Sequence, residues 1–421
     1  MYRVAVSLSL CVSLVAAAAP AAAEELQKGD HVAVIGDSIT EQRRYSVFIE
    51  DYLVMCQPAA ELRQTQFGWS GETSWGFEAR MKNDMLRFKP VVATTCFGMN
   101  DGGYSPMNDQ KASRYREAQT KIVEQMKAAG VRFIVVGSPG CVDQQTFRNR
   151  NREQAAIYNK TLAALRDIAR EVAEKEGAAF ADVFDPMHEV MEKGEAKYGE
   201  RYHVAGPDGV HPDNNGHLVM AYAFLKALGC KGDIGTITVD LTGQKAEATD
   251  GHKVLSFDNG AVEIESTRYP FCFYGGDLGR TDSTQGVLEF LPFNQDLNRL
   301  MLVVQGVPAG KVKVTWGKAS KEFDASDLQK GINLAAEFLD NPFSGPFRRL
   351  EGEIQRKQEL ETPLVKQTTN EIPRVAEWAP GARNALEEAA AAGIKYDEEL
   401  SRAVTLSVVP VKHTIKIEVE K

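Results

Sequence analysis

Val34-Ile35-Gly36-Asp37-Ser38-Ile39-Thr40 decides the fold: an apolar run that starts at His31 breaks here at a Gly-Asp-Ser turn. A short apolar run ended by turn residues reads as a buried strand. Ser38 then stands at the strand's carboxyl end, where open α/β sheets place their ligands. Gly, Asp and Ser are also ordinary turn residues, and Ser38-Ile39-Thr40-Glu41 fits a helix capping box. The serine therefore needs partners elsewhere in the chain before it carries chemistry.

Asp208-Gly209-Val210-His211-Pro212 supplies two of them. A serine hydroxyl is a poor nucleophile until a base takes its proton, and a near-neutral histidine suits that task. The histidine needs a carboxylate to hold its tautomer and to stabilise the imidazolium. An Asp three residues before the His, on a loop entering a helix from Asn214 to Leu228, can lie against the ring. The remaining parts are donors. Ser70-Gly71-Glu72-Thr73 follows the strand-like 62–67, and Gly98-Met99-Asn100-Asp101 follows the apolar 91–97. Acyl transfer passes through an oxyanion that preorganised N–H groups must meet. Glycine allows close backbone approach, and an asparagine amide donates without adding charge.

Taken in order, Gly-Asp-Ser, Gly, Gly-x-Asn-Asp and Asp-x-x-His resemble the SGNH (GDSL-type) serine hydrolases. The resemblance covers roughly residues 30–228, about half of the chain. It implies a three-layer, flavodoxin-like α/β domain with a parallel sheet. It also implies Ser38 as nucleophile, His211 as base and Asp208 as its orienting carboxylate. The oxyanion hole would comprise the backbone N–H groups of Ser38 and Gly71 and the side-chain amide of Asn100. One departure is visible: where family members often carry an asparagine shortly before the second-block glycine, this chain has Gln66 and Phe67. We read that as a difference behind the donor, which is itself retained.

The 421 residues, with a net charge of −9, suit two domains and argue against nucleic acid or an anionic membrane as the main partner. Residues 1–23 read as a secretory signal: Arg3, an apolar stretch from Val4 to Ala19, then Ala21-Ala22-Ala23 before Glu24. The expected mature protein is thus secreted or periplasmic, with no stable membrane insertion. Five cysteines remain after signal removal, so disulfides are permitted but at least one thiol stays unpaired. Cys96 reads as a core residue. No Cys-x-x-Cys or His-x-x-x-His spacing suggests zinc, and no metal or organic cofactor is implied.

Strand-like runs at 31–35, 62–67, 91–97, 131–136 and 178–183 alternate with helical segments, notably 114–129 and 152–176. That rhythm predicts a parallel sheet covered on both faces, over 30–229. After Gly229 the texture changes to alternating, β-branched runs at 235–241, 254–257, 261–265, 302–305, 311–316 and 404–419. Asp258-Asn259-Gly260 marks a hairpin. Residues 230–421 are thus expected to form a mainly antiparallel β-sandwich with a helical insertion near 324–402. Tyr269-Pro270-Phe271-Cys272-Phe273-Tyr274 reads as core or as cover over the catalytic sheet in preference to a sugar platform. His188 and His203 read as surface or rim residues.

The expected function is a secreted serine ester hydrolase working through an acyl-enzyme on small acyl esters, acetyl above all, of carbohydrates. The expected partner is a small-molecule or glycan ester. A lipase or arylesterase of the same family, or a non-catalytic carbohydrate-binding protein on the scaffold, are the alternatives. A nucleotide- or flavin-binding domain lacks its Gly-rich fingerprint at the first turn.

Overall fold

The computed structural model describes residues 25–57, 59 and 61–419, so the expected signal segment lies outside the described residues. Five strands, β1 (His31–Gly36), β2 (Arg63–Gly68), β3 (Val92–Cys96), β4 (Phe133–Gly137) and β5 (Ala179–Ala181), form one parallel sheet in the order β2-β1-β3-β4-β5. Every residue of β1 is buried, because helices cover both faces. The period of two survives inside the apolar run. Ala33 and Ile35 pack on one side with Tyr115, Ile122 and Leu165. Val32 and Val34 pack on the other with Phe48, Leu218 and Phe224.

The order reverses direction between β1 and β3, which makes their carboxyl ends the switch point where open sheets bind ligands. Ser38 follows β1, Asn100 follows β3, and Gly71 follows β2. The Arg152–Glu176 helix runs as expected, with Asn151 capping it and a left-handed Gly177 ending it.

The second half builds two sheets. β6 (Asp233–Asp240), β7 (Lys245–Ala248), β10 (Arg299–Gln305) and β13 (Ile332–Asn333) form one; β8 (His252–Asp258), β9 (Ala261–Ser266), β11 (Lys311–Trp316), β12 (Ala319–Asp324) and β14 (Val411–Val419) form the other. The second sheet is antiparallel throughout. In the first, β10 pairs with β6 in parallel, because a long excursion through residues 267–298 separates them. Asn259 and Gly260 both have positive φ, 48° and 78°, the geometry of the tight hairpin turn that joins β8 to β9. One expected strand is shorter than the sequence suggested. Residues 404–406 end the Arg383–Leu406 helix, and β14 begins only at Val411, after Pro410.

The helical segment does not stand apart from the first half. Its Ser344–Pro363 and Arg383–Leu406 helices lie along the free edge of β2. Edge strands leave unpaired backbone groups, and here helix side chains meet them. Glu361 accepts the Gln66 N–H at 2.8 Å, and buried Lys357 donates to the Gln64 carbonyl at 2.6 Å. Lys357 is 1 % exposed and also pairs with Glu50 at 2.9 Å and with Glu361. The Tyr269–Phe273 stretch is buried, and Phe271 packs against Phe48, Phe293 and Phe347. It is core that joins the halves and not an exposed platform.

Candidate active site

Ser38 opens the short Ser38–Glu41 helix as its first residue, and the cap is Asp37, whose Oδ1 accepts the Ile39 N–H at 2.9 Å. The capping-box reading of Ser38 is thereby replaced. The cap falls one residue earlier, and the Glu41 carboxylate turns instead to the Ser70 N–H and to Lys366 Nζ, 2.7 Å away. Freed from capping, the Ser38 hydroxyl lies 2.8 Å from His211 Nε2. On the opposite side of the ring, His211 Nδ1 lies 2.6 Å from Asp208 Oδ2. The other Asp208 oxygen accepts the backbone N–H groups of Val210 and His211, both at 2.9 Å, which ties the loop to its own carboxylate. Those bonds from His211 and Val210 outweigh burial and hold the Asp208 carboxyl below its ordinary range.

The three side chains thus form one continuous line from residues 173 positions apart. The site is open: the His211 side chain is 34 % exposed and Asp208 53 %.

The expected donors follow the carboxyl ends of the neighbouring strands β1, β2 and β3. Ser38 N–H is a first-turn helix donor with no intrahelical partner, and neither it nor the Gly71 N–H has an acceptor among the described residues. Gly71 has φ +75°, a backbone conformation that favours glycine. Asn100 gives one amide N–H to the Glu72 carbonyl at 2.9 Å, leaving the second available. Its Oδ1 accepts the Tyr104 hydroxyl at 3.3 Å, so the amide's orientation is fixed from both ends. Tyr104 in turn stacks on Tyr158, ring centroids 5.0 Å apart.

Several residues important to this geometry were not singled out from sequence. Asp101, the last residue of Gly-x-Asn-Asp, is 3 % exposed and accepts from Ser74 N–H at 2.9 Å, from the Ser74 hydroxyl and from Gly98 N–H at 3.0 Å. It locks the Asn100 loop to the Gly71 loop. Burial raises its carboxyl to about 6 and that of Asp37 to about 7. Gly68 allows a close crossing, since a Cβ there would fall 2.2 Å from Glu41 N. Gln66 accepts the Gly68 N–H at 2.9 Å and donates to Thr362 at 2.8 Å, so this departure from the family pattern serves contact with the helical segment.

The second half also holds the histidine loop. Asn215 N–H donates to the Thr281 carbonyl at 3.0 Å, Thr281 Oγ1 to Asp213 at 2.8 Å, and Asn214 Nδ2 to the Asp282 carbonyl at 3.0 Å. These contacts brace the start of the Asn214–Ala227 helix, three residues after His211. Nothing in the local sequence of the Thr281 loop signals that role.

His188 and His203 lie off this line, 28 % and 22 % exposed, with His203 Nδ1 3.5 Å from buried Asp143. Cys56, Cys96, Cys141, Cys230 and Cys272 are free and buried. Among the described residues there is no cluster of His, Cys, Asp and Glu that could hold a metal ion, and no helix long and apolar enough to cross a membrane.

Comparison with known proteins agrees with the motif reading. Residues 34–219 match the model of the GDSL-like lipase/acylhydrolase family. An acetylxylan esterase from Geobacillus stearothermophilus is 24 % identical over 227 residues, 49 % of this chain and 96 % of that protein. Among solved structures, a gut microbial diltiazem-metabolizing enzyme superimposes with a TM-score of 0.71 at 23 % identity, covering 94 % of this chain and 99 % of that one. The fold likeness therefore extends through the second half. A catalytic mutant of the Geobacillus stearothermophilus acetylxylan esterase aligns at 22 % identity and a TM-score of 0.40, over 49 % of this chain and 97 % of its own. The N-terminal half of this chain is a domain of the GDSL-like lipase/acylhydrolase family, the SGNH class of carboxylic ester hydrolases.

Proposed function

We propose that the chain is an exported serine esterase that removes small acyl groups, acetyl foremost, from carbohydrate esters. The observation that carries the reading is the unbroken line Ser38–His211–Asp208, at 2.8 and 2.6 Å. Ser38 Oγ attacks the acyl carbonyl as His211 Nε2 takes its proton. Asp208 fixes the tautomer and stabilises the imidazolium that results. The carbonyl oxygen, now an oxyanion, is met by Ser38 N–H, Gly71 N–H and the free Asn100 N–H. Collapse expels the alcohol, which takes the proton from His211. Water, activated by the same histidine, then releases the acid from the acyl-enzyme and restores Ser38.

The similar Geobacillus protein is named an acetylxylan esterase, which supports acetyl as the acyl group and a glycan as the alcohol. The test is hydrolysis of p-nitrophenyl acetate by the purified protein and its Ser38→Ala variant. Activity that disappears with the hydroxyl is expected; equal rates, or none in either protein, would refute the esterase reading.

A further inference from the structure

A cavity of about 230 Å³ is lined by residues of both halves, two of them close in sequence to Ser38 and His211. Gln42, on its wall, closes the helix that begins with Ser38, about 6 Å along the axis at 1.5 Å per residue. Asn214, on another wall, lies three residues beyond His211. The far walls belong to the second half: Tyr274 from the aromatic stretch, and Gln355 and Glu359 from the Ser344–Pro363 helix.

The chemistry of these walls is unspent. Arg43 and Arg44 line the cavity, and their hydrogen-bond acceptors among the described residues are neutral. Arg43 gives one nitrogen to the Glu41 carbonyl and Thr362, and Arg44 gives one to Asn214. Each guanidinium carries five N–H donors, so most remain available. Arg43 also holds a left-handed backbone, φ 54°, at the turn that presents both arginines. Such strain persists only where the surroundings enforce it, and it gathers at binding sites. The side chains of Gln355 and Glu359, one turn apart on their helix, have no hydrogen-bond partner among the described residues. Tyr274 is a fixed wall: its hydroxyl bonds Glu351 at 2.6 Å and Arg348 stacks 3.7 Å from its ring.

We propose that this cavity is a subsite for one sugar ring on the alcohol side of the ester, supplied jointly by the catalytic half and the second half. The inference deepens the carbohydrate-esterase reading and rests on it. A pyranose presents several hydroxyls, each both donor and acceptor, around a ring with apolar faces. Planar amide, guanidinium and carboxylate groups meet such hydroxyls in pairs, and an aromatic wall meets the ring. The volume lies below the roughly 300–1,000 Å³ of sites for drug-sized ligands, which suits a single ring. A long acyl chain would find charged walls here, and burying those against hydrocarbon is costly.

The test measures binding directly, so that it does not depend on catalysis. Unsubstituted tetrasaccharides of xylose, glucose, galactose and mannose units are titrated against the full-length protein by calorimetry and saturation-transfer NMR. At least one is expected to bind, and Arg44→Ala is expected to weaken it tenfold or more, about 1.4 kcal/mol. Glu359→Ala, an exposed change on a helix face, is expected to act in the same direction and guards against a folding defect in the arginine variant. Binding of none of the four at about 10 mM, or identical affinities in wild type and both variants, would overturn the subsite. p-Nitrophenyl acetate hydrolysis that depends on Ser38, with binding unmoved by either variant, would remove the subsite and leave the esterase reading standing. Sugar binding weakened by both variants, without Ser38-dependent hydrolysis, would do the reverse.

Discussion

Asp208 and His211 are predicted to differ in how much activity each carries, and the size of the difference follows from their exposure. Replacing His211 by Ala removes the proposed base and leaves the Ser38 hydroxyl with no hydrogen-bond partner among the described residues. A loss of at least ~10⁴-fold in kcat/KM is expected, the scale on which triad residues act. Asp208→Ala removes a charge that stabilises the imidazolium. Two unit charges about 4 Å apart interact by about 1 kcal/mol in water and about 4 kcal/mol at an effective dielectric of 20. The Asp208 side chain is 53 % exposed, which places it between those limits. The corresponding loss is roughly 5- to 1,000-fold at 1.36 kcal/mol per decade. Part of it arises from loosening the loop, because the same carboxylate accepts the Val210 and His211 N–H groups. The assay is steady-state hydrolysis of p-nitrophenyl acetate, with thermal melts to confirm that both variants fold. Equal losses in the two variants, or a harmless His211→Ala, would refute the assignment.

Two further outcomes concern buried charge. Lys357→Met is expected to cost about 3–5 kcal/mol in chemical denaturation, because Glu50 and Glu361 would lose their cation while remaining buried; a cost below about 1 kcal/mol would show that the helix edge does not depend on the lysine. Burial lifts the Asp37 carboxyl from 3.8 to about 7, so between those values the folded state holds a proton that the unfolded chain releases. Its contribution to stability is therefore complete below pH ~4, falls as pH rises towards about 7, and is flat above that, on the order of 4 kcal/mol in all. Asp37→Asn keeps an acceptor for the Ile39 N–H and should flatten this part of the profile, so that wild type loses more stability than the variant between pH 4.5 and 7.5. Parallel stability-against-pH curves would contradict that account.

What could be read in the sequence divides by the range of the interaction. The parallel sheet was legible because β1, β3 and β4 are apolar runs with turn chemistry at their ends, and the β8–β9 hairpin because Asn-Gly suits a turn with two positive φ values. The four site motifs were legible because each couples a reactive side chain to such a local break. Pairings without a local signature were not. β12 and β13 are short and polar or nearly so, and only their neighbours make them strands. The Val404–Leu406 triplet has β-branched residues yet completes a helix, because the helix from Arg383 onwards sets a period that its end continues. Thr281, Tyr104 and Lys366 each reach the site region across a fold that no spacing in the chain reveals.

These long-range contacts change the meaning of the second half. Its texture differs from Gly229 onwards, yet one apolar cluster runs unbroken from Val32 and Phe48 of the first half to Phe271, Leu300 and Trp316 of the second. Polar contacts follow the same course. Lys366 reaches Glu41, which holds the Ser70 N–H one residue before Gly71, and its Nζ lies 4.8 Å over the Trp69 ring. On the opposite flank, the Thr281 loop fixes the helix that follows His211. An oxyanion hole works only when its donors are in place before the charge develops, since reorganisation would consume the stabilisation they offer. Here the second half adds contacts on two flanks, Lys366 behind the Gly71 loop and the Thr281 loop behind the helix after His211, to those that the first half makes for itself through Asp101 and Tyr104.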